Sequence, residues 1–174
     1  MKKSVNITFS ALFAALICIL SQICFITPTV PLTLQILGVA LCGFVLPLKW
    51  ALGSVLTYIA VGALGLPVFS AFKGGFQMLI GPTGGFLLGF ILLTAGCGLA
   101  VKCNNGLLRV LICVLGIALC HTIGIVQYSI TTGIGIIATF LTASLPFLFK
   151  DAILVFAAYF LSKFVKKRLE ALKT

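Results

Sequence analysis

Asp151 is the only carboxylate of this chain outside its basic C-terminal tail, and Lys150 stands directly before it. An ionised carboxylate accepts N–H donors, whereas an ammonium suits an anionic group. Together they could grip a small molecule that carries both functions. Lys73 is a second cation in apolar surroundings, and Gln35 with Thr33 offers neutral donors and acceptors. Each has a plainer reading. Lysines near span ends snorkel to lipid headgroups, and Asp151 after Pro146-Phe147 reads as a helix cap, where the dipole contributes up to about 1 kcal/mol. Deeper in a bilayer an unpaired charge costs about 2.5–3.5 kcal/mol on insertion scales, so an intramembrane ionisable group reads as functional by default.

Catalytic chemistry finds little support. His121 is the sole histidine and lies near Gln127 and Tyr128; a lone membrane histidine bonds a neighbouring helix more often than a ligand. One histidine and one such acid would need chance geometry to form a Ser-His-Asp arrangement. No phosphate-binding GxxxxGK[ST] occurs, because Lys73 precedes its glycines. The seven cysteines are odd in number and contain no CxxC, so they read as small buried hydrophobes. No catalytic residue, metal or cofactor is expected.

The element that must present these groups is the stretch 79–90, Leu-Ile-Gly-Pro-Thr-Gly-Gly-Phe-Leu-Leu-Gly-Phe. Irregular backbone at membrane depth is tolerated only where it is buried in protein or lines a cavity. A Gly-Pro turn there points to a pocket wall containing Gly81, Thr83 and Phe86. Gly85 and Gly89 form a small-xxx-small face that lets another helix approach. A pocket loop and a mere packing seam are both open on this pattern.

The chain is 61% hydrophobic and 8% charged, with mean hydropathy +1.31. Soluble domains carry about 25% charged residues, so this is an integral membrane protein. Its net charge of +10 does not indicate nucleic acid, because the cations lie in short clusters between apolar spans. Anionic lipid and the positive-inside rule account for them.

Runs bounded by Pro, Gly and charge predict six spans, at about 6–26, 33–46, 50–66, 84–102, 107–128 and 151–165. The first follows Met-Lys-Lys as a signal peptide would, but no convincing small-residue cleavage site precedes Pro28. It reads as a retained span. Residues 129–149 are long enough for a seventh, yet parity argues otherwise. With six spans, ten of the twelve cations share one side with both termini, and only Lys73 and Lys150 lie outside. The expectation is therefore all-α: an integral membrane bundle of six transmembrane helices, with 129–149 a partly re-entrant outer connector before the last. A single transmembrane substrate-binding domain covers 1–174, in the cell (cytoplasmic) membrane with both termini cytoplasmic. The outer face then collects 27–32, 67–83 and 129–150, with the aromatic residues Phe69, Phe72 and Phe76.

Val30-Pro31-Leu32-Thr33-Leu34-Gln35 with Gly38, Tyr58 with Gly62-Ala63-Leu64-Gly65-Leu66-Pro67-Val68-Phe69, the Gly-Pro-Thr-Gly-Gly block, and Pro146-Phe147 before Asp151 together resemble one family. It is the BioY family, the biotin-specific substrate-binding (S) subunits of energy-coupling factor (ECF) transporters. The resemblance implies a six-helix protein that captures biotin from outside, working with a transmembrane coupling subunit and two ATP-binding subunits. It implies an Ala-xxx-Ala face towards the coupling subunit, matched here by Ala11 and Ala15; internal packing is the alternative. The family continues Pro-Phe-x-x-Gly-Asp-x-x-Lys, but here Lys150 stands at the glycine and Leu154 at the lysine. That exchange reads as compensation or as altered specificity, towards a related acid such as lipoate or desthiobiotin.

For biotin, Asp151 would accept from the ureido N–H groups and Gln35 or Thr33 would bond its carbonyl. Phe69, Phe76 and Phe86 would supply the apolar wall, and Lys150 or Lys73 the counter-ion of the carboxylate. No ATPase motif is present, so no enzyme activity is expected.

Overall fold

The computed structural model describes residues 3–25 and 30–171. Loop residues 27–29 and the cations Lys2 and Lys173 lie outside them. Eight α-helices appear among the described residues: α1 Lys3–Gln22, α2 Gln35–Val45, α3 Leu48–Ala63, α4 Gln77–Ile80, α5 Gly84–Ala100, α6 Gly106–Thr132, α7 Ile136–Ala143 and α8 Leu145–Ala171. Two short strands, β1 Cys24–Phe25 and β2 Leu32–Thr33, pair antiparallel with Cys24 opposite Thr33.

Three helices, Lys3–Gln22, Gly106–Thr132 and Leu145–Arg168, are long and apolar enough to cross a membrane, and α2, α3 and α5 are shorter apolar helices. The protein is an all-α membrane bundle. α2 is its centre, packed by α1, α3, α5 and α8; Val39, Ala40 and Cys42 on it are fully buried. Lipid tails are as apolar as leucine, so helix association here rests on close packing and interhelical hydrogen bonds. Thr94 on α5 donates to the Val39 carbonyl at 3.3 Å, and Ser10 on α1 donates to the Trp50 carbonyl of α3 at 3.1 Å. At the basic end, Arg109 donates to the Cys103 carbonyl at 2.6 Å and to the Tyr159 hydroxyl, tying the α5–α6 turn to α8. Asn105 caps α6 through Leu107 N at 2.8 Å.

The glycine face of α5 lies against α6. A Cβ on Gly85 would sit 2.5 Å from the Ile123 carbonyl oxygen, and one on Gly89 only 2.8 Å from Cys120 Cα. No side chain fits at either contact.

The segment 129–149 divides differently from the expectation. α6 runs on to Thr132, α7 follows, and α8 begins at Leu145. Pro146 therefore lies in the first helical turn, where the missing N–H has no intrahelical partner to lose. Asp151 is consequently six residues into α8 and is no helix cap.

Candidate functional site

At the end of the bundle opposite the basic turns, the start of α5 and the end of α6 are held together by one side chain. Gln127 Nε2 donates to the Leu79 carbonyl at 2.6 Å and to the Gly81 carbonyl at 2.8 Å. The Gly-Pro loop is thereby pinned while Gly81, Pro82 and Thr83 line a cavity. Pocket loop and packing seam coexist, two residues apart.

The loop between α3 and α4 forms the second wall. Its Val68 carbonyl accepts from Ser21 Oγ at 2.5 Å, its Phe69 carbonyl from Gln22 Nε2 at 3.1 Å, and Gln22 Oε1 accepts from Phe72 N at 2.9 Å. A 3-10 turn at Ser70–Phe72 places Ala71 at φ 57° and Phe72 at φ 55°. Non-glycine residues in that left-handed region carry strain of about 1–3 kcal/mol each, sustained only by surrounding structure. The α1 clasp supplies it. Phe69 is turned inward by the same loop, edge-on to Tyr58 with centroids 5.5 Å apart.

A polar wall closes the cavity. Thr33 Oγ1 donates to Gln35 Oε1 at 3.0 Å, and Gln35 Nε2 donates to the Tyr58 hydroxyl. Lys150 Nζ donates to the Thr33 carbonyl at 2.9 Å and lies 2.6 Å from Asp151 Oδ1. Oδ1 is buried and faces that ammonium. The other oxygen, Oδ2, lies 3.1 Å from His121 Nε2, and His121 Nδ1 lies 2.8 Å from Ser144 Oγ. Val30, Tyr128, Ala143 and Phe147 form an apolar cluster beside this wall, with Phe86 packed against it.

The cavity encloses about 450 Å³, within the roughly 300–1,000 Å³ range of small-molecule sites. Thr33, Gln35, Phe69, Lys73, Gly81, Thr83, Phe86, Lys150 and Asp151 all line it. Phe76 does not, and is 63% exposed. Ala11 and Ala15 are both exposed on α1, away from the cavity lining. Ser70, Gln77, Met78 and His121 also line it. Ser70 Oγ is buried there without a hydrogen-bond partner, and nothing in its neighbours marked it out. Leu154 packs against the main core instead.

The expectation that Ser, His and Asp would not converge is corrected by the Ser144–His121–Asp151 line. Ser144 is fully buried and does not line the cavity, so its hydroxyl has no access to a substrate as a nucleophile would need.

An apolar helical bundle with a cavity at one end, walled by rings and one buried ion pair, is the build of a membrane protein that holds a small molecule. The BioY family model matches residues 1–171, and the chain belongs to that family. It is 36% identical over 151 residues to the "Probable biotin transporter BioY" of Pyrococcus horikoshii, covering 87% of this chain and 90% of that one. It is 49% identical over 83 residues to the "Biotin transporter BioY" of Thermotoga maritima, covering 48% of this chain and 49% of that one. That second alignment spans about half of each chain. The fold is that of the crystallised S-component for biotin from an ECF-type ABC transporter, with a TM-score of 0.86, 24% identity and coverage of 95% and 93% of the two chains.

Proposed function

We propose that this chain is the biotin-binding S subunit of an ATP-driven ECF transporter, capturing the vitamin in the cavity beside Asp151. The observation that carries this is the Asp151–Lys150 pair on the cavity wall, a buried carboxylate beside an ammonium 2.6 Å away. A carboxylate oxygen has more than one lone pair and can accept a further donor. A ureido N–H suits it. Biotin also carries a carbonyl, for which Thr33 and the remaining Gln35 N–H are at hand, and an apolar thioether ring that suits Phe69 and Phe86. The carboxylate pairs with Lys150 or Lys73. The relatives are biotin transporters, which favours biotin over lipoate and desthiobiotin.

The bundle crosses the membrane six times in this reading. α7, with eight residues, is about 12 Å long and cannot span a hydrocarbon core of about 30 Å, which supports a connector that dips in and returns. Lys49, Lys102 and Arg109 sit at helix ends and none of them lines the cavity, which supports cytoplasmic termini under the positive-inside rule. A coupling subunit docks on Ala11 and Ala15, and two ATP-binding subunits supply the energy.

Equilibrium titration of biotin into the purified chain and into Asp151→Asn tests the site. Charge-assisted hydrogen bonds contribute about 1.5–3 kcal/mol, so affinity falls by about tenfold to more than a hundredfold. Unchanged affinity would remove Asp151 from the site. Biotin recovered chemically intact from the complex separates binding from turnover.

A further inference from the structure

We infer that the α3–α4 loop is a lipid-binding surface, with one face sunk among the acyl chains of the outer leaflet and the other walling the cavity. This rests on the six-span reading above. α3 has 16 residues and is about 24 Å long, short of a hydrocarbon core of about 30 Å. α6 has 27 residues and, at about 40 Å, clears that core. Lys49 in the first turn of α3 marks the cytoplasmic boundary. The far end of α3, at Ala63, then stops about 6 Å below the outer boundary, and any tilt lowers it further. The loop that follows begins at hydrocarbon depth.

Irregular backbone survives at that depth only where its polar groups are bonded within the protein. Residues 64–69 meet that demand. Leu64, Gly65 and Leu66 donate their N–H groups to the carbonyls of Ala60, Gly62 and Val61 at 3.0, 3.1 and 3.4 Å. Pro67 has no N–H to satisfy, Val68 donates to the Leu66 carbonyl and Phe69 to that of Lys73. The Val68 and Phe69 carbonyls are taken by Ser21 and Gln22. Gly75 N folds the loop back onto the Gly62 carbonyl at 2.7 Å. A loop in water needs no such closure, because solvent serves the groups left over. The side chains divide between two faces. Phe69, Ser70 and Lys73 line the cavity, whereas Leu64, Leu66, Phe72 and Phe76 do not and are each more than half exposed. Large apolar side chains gain by transfer from water to hydrocarbon, which acyl chains supply. The wall that carries Phe69 is thus held between α1 and lipid.

Trp50 is the one tryptophan of the chain, so Trp50→Phe gives a silent background for a reporter on the loop. Phe72→Trp and Phe76→Trp are placed in it one at a time. The full-length proteins go into nanodiscs of phosphatidylcholine with plain or brominated acyl chains. Bromine quenches a tryptophan that touches those chains, and acrylamide quenches one that faces water. Both reporters should lose most of their emission in the brominated discs and little of it to acrylamide. Acrylamide quenching that exceeds bromine quenching at either position overturns the inference. If the Trp50→Phe background does not fold, the same comparison is made with Trp50 retained and the wild-type signal subtracted. The six-span reading fails separately, when position 167 is labelled from outside. The ligand reading also fails separately, when Asp151→Asn binds biotin as the wild type does.

Discussion

Gln127 and Gly81 meet 46 positions apart in sequence, with the amide Nε2 2.8 Å from the carbonyl oxygen. One nitrogen on α6 thus holds the backbone that turns into α5, and the same nitrogen holds Leu79. Replacing Gln127 with Leu removes both bonds, together worth about 1–3 kcal/mol. The melting temperature in detergent should fall and biotin affinity with it. Gln127→Glu keeps the shape but has no N–H to donate, so it should fare no better. A Glu variant as stable as the wild type would show that these bonds contribute nothing.

Lys150 is tied to the Thr33 carbonyl and beside Asp151, where it can meet a ligand carboxylate. Lys150→Ala should weaken biotin about tenfold or more, while biotin amide, which lacks the charge, loses less. Titration of both ligands decides. Equal losses would confine Lys150 to its role as partner of Asp151.

Ala11 and Ala15 lie one turn apart on the exposed face of α1. Exchanging both for Trp obstructs close approach of a partner helix. Biotin binding by the isolated chain should persist while cellular uptake drops. A joint loss would mean that the face packs within the bundle.

Orientation is measurable with single cysteines in a cysteine-free background. A membrane-impermeant thiol reagent applied from outside should label position 73 and leave positions 102 and 167 untouched. Labelling at 167 would overturn the six-span arrangement.

Much of the candidate cavity was legible because polar groups are rare in this chain and each had to be accounted for. Nine of the ten ligand-site residues anticipated from sequence line one cavity. Phe76 failed to join them because aromatic character says nothing about which way a loop residue turns. Helix limits marked by cations and prolines were also readable, as at α3 and α5. The start of α8 was not, since Pro146 reads as a breaker in sequence and serves as a first-turn residue in the fold. The short pieces, α4 and the paired strands, are too brief to show a period. The Ser144–His121–Asp151 line was invisible because its members lie 23 and 30 positions apart, on the α7–α8 turn, α6 and α8. Nothing local relates them.

The clasp of Ser21 and Gln22 on the strained loop at Ala71 and Phe72 gives α1 a mechanical character. Twenty helical residues make a stiff rod about 30 Å long, with the exposed alanines along its shaft and a cavity wall gripped at its tip. A push on the shaft reaches Phe69 without crossing a hinge. The three hydrogen bonds from Ser21 and Gln22 thus make the position of the cavity wall depend on that of the rod.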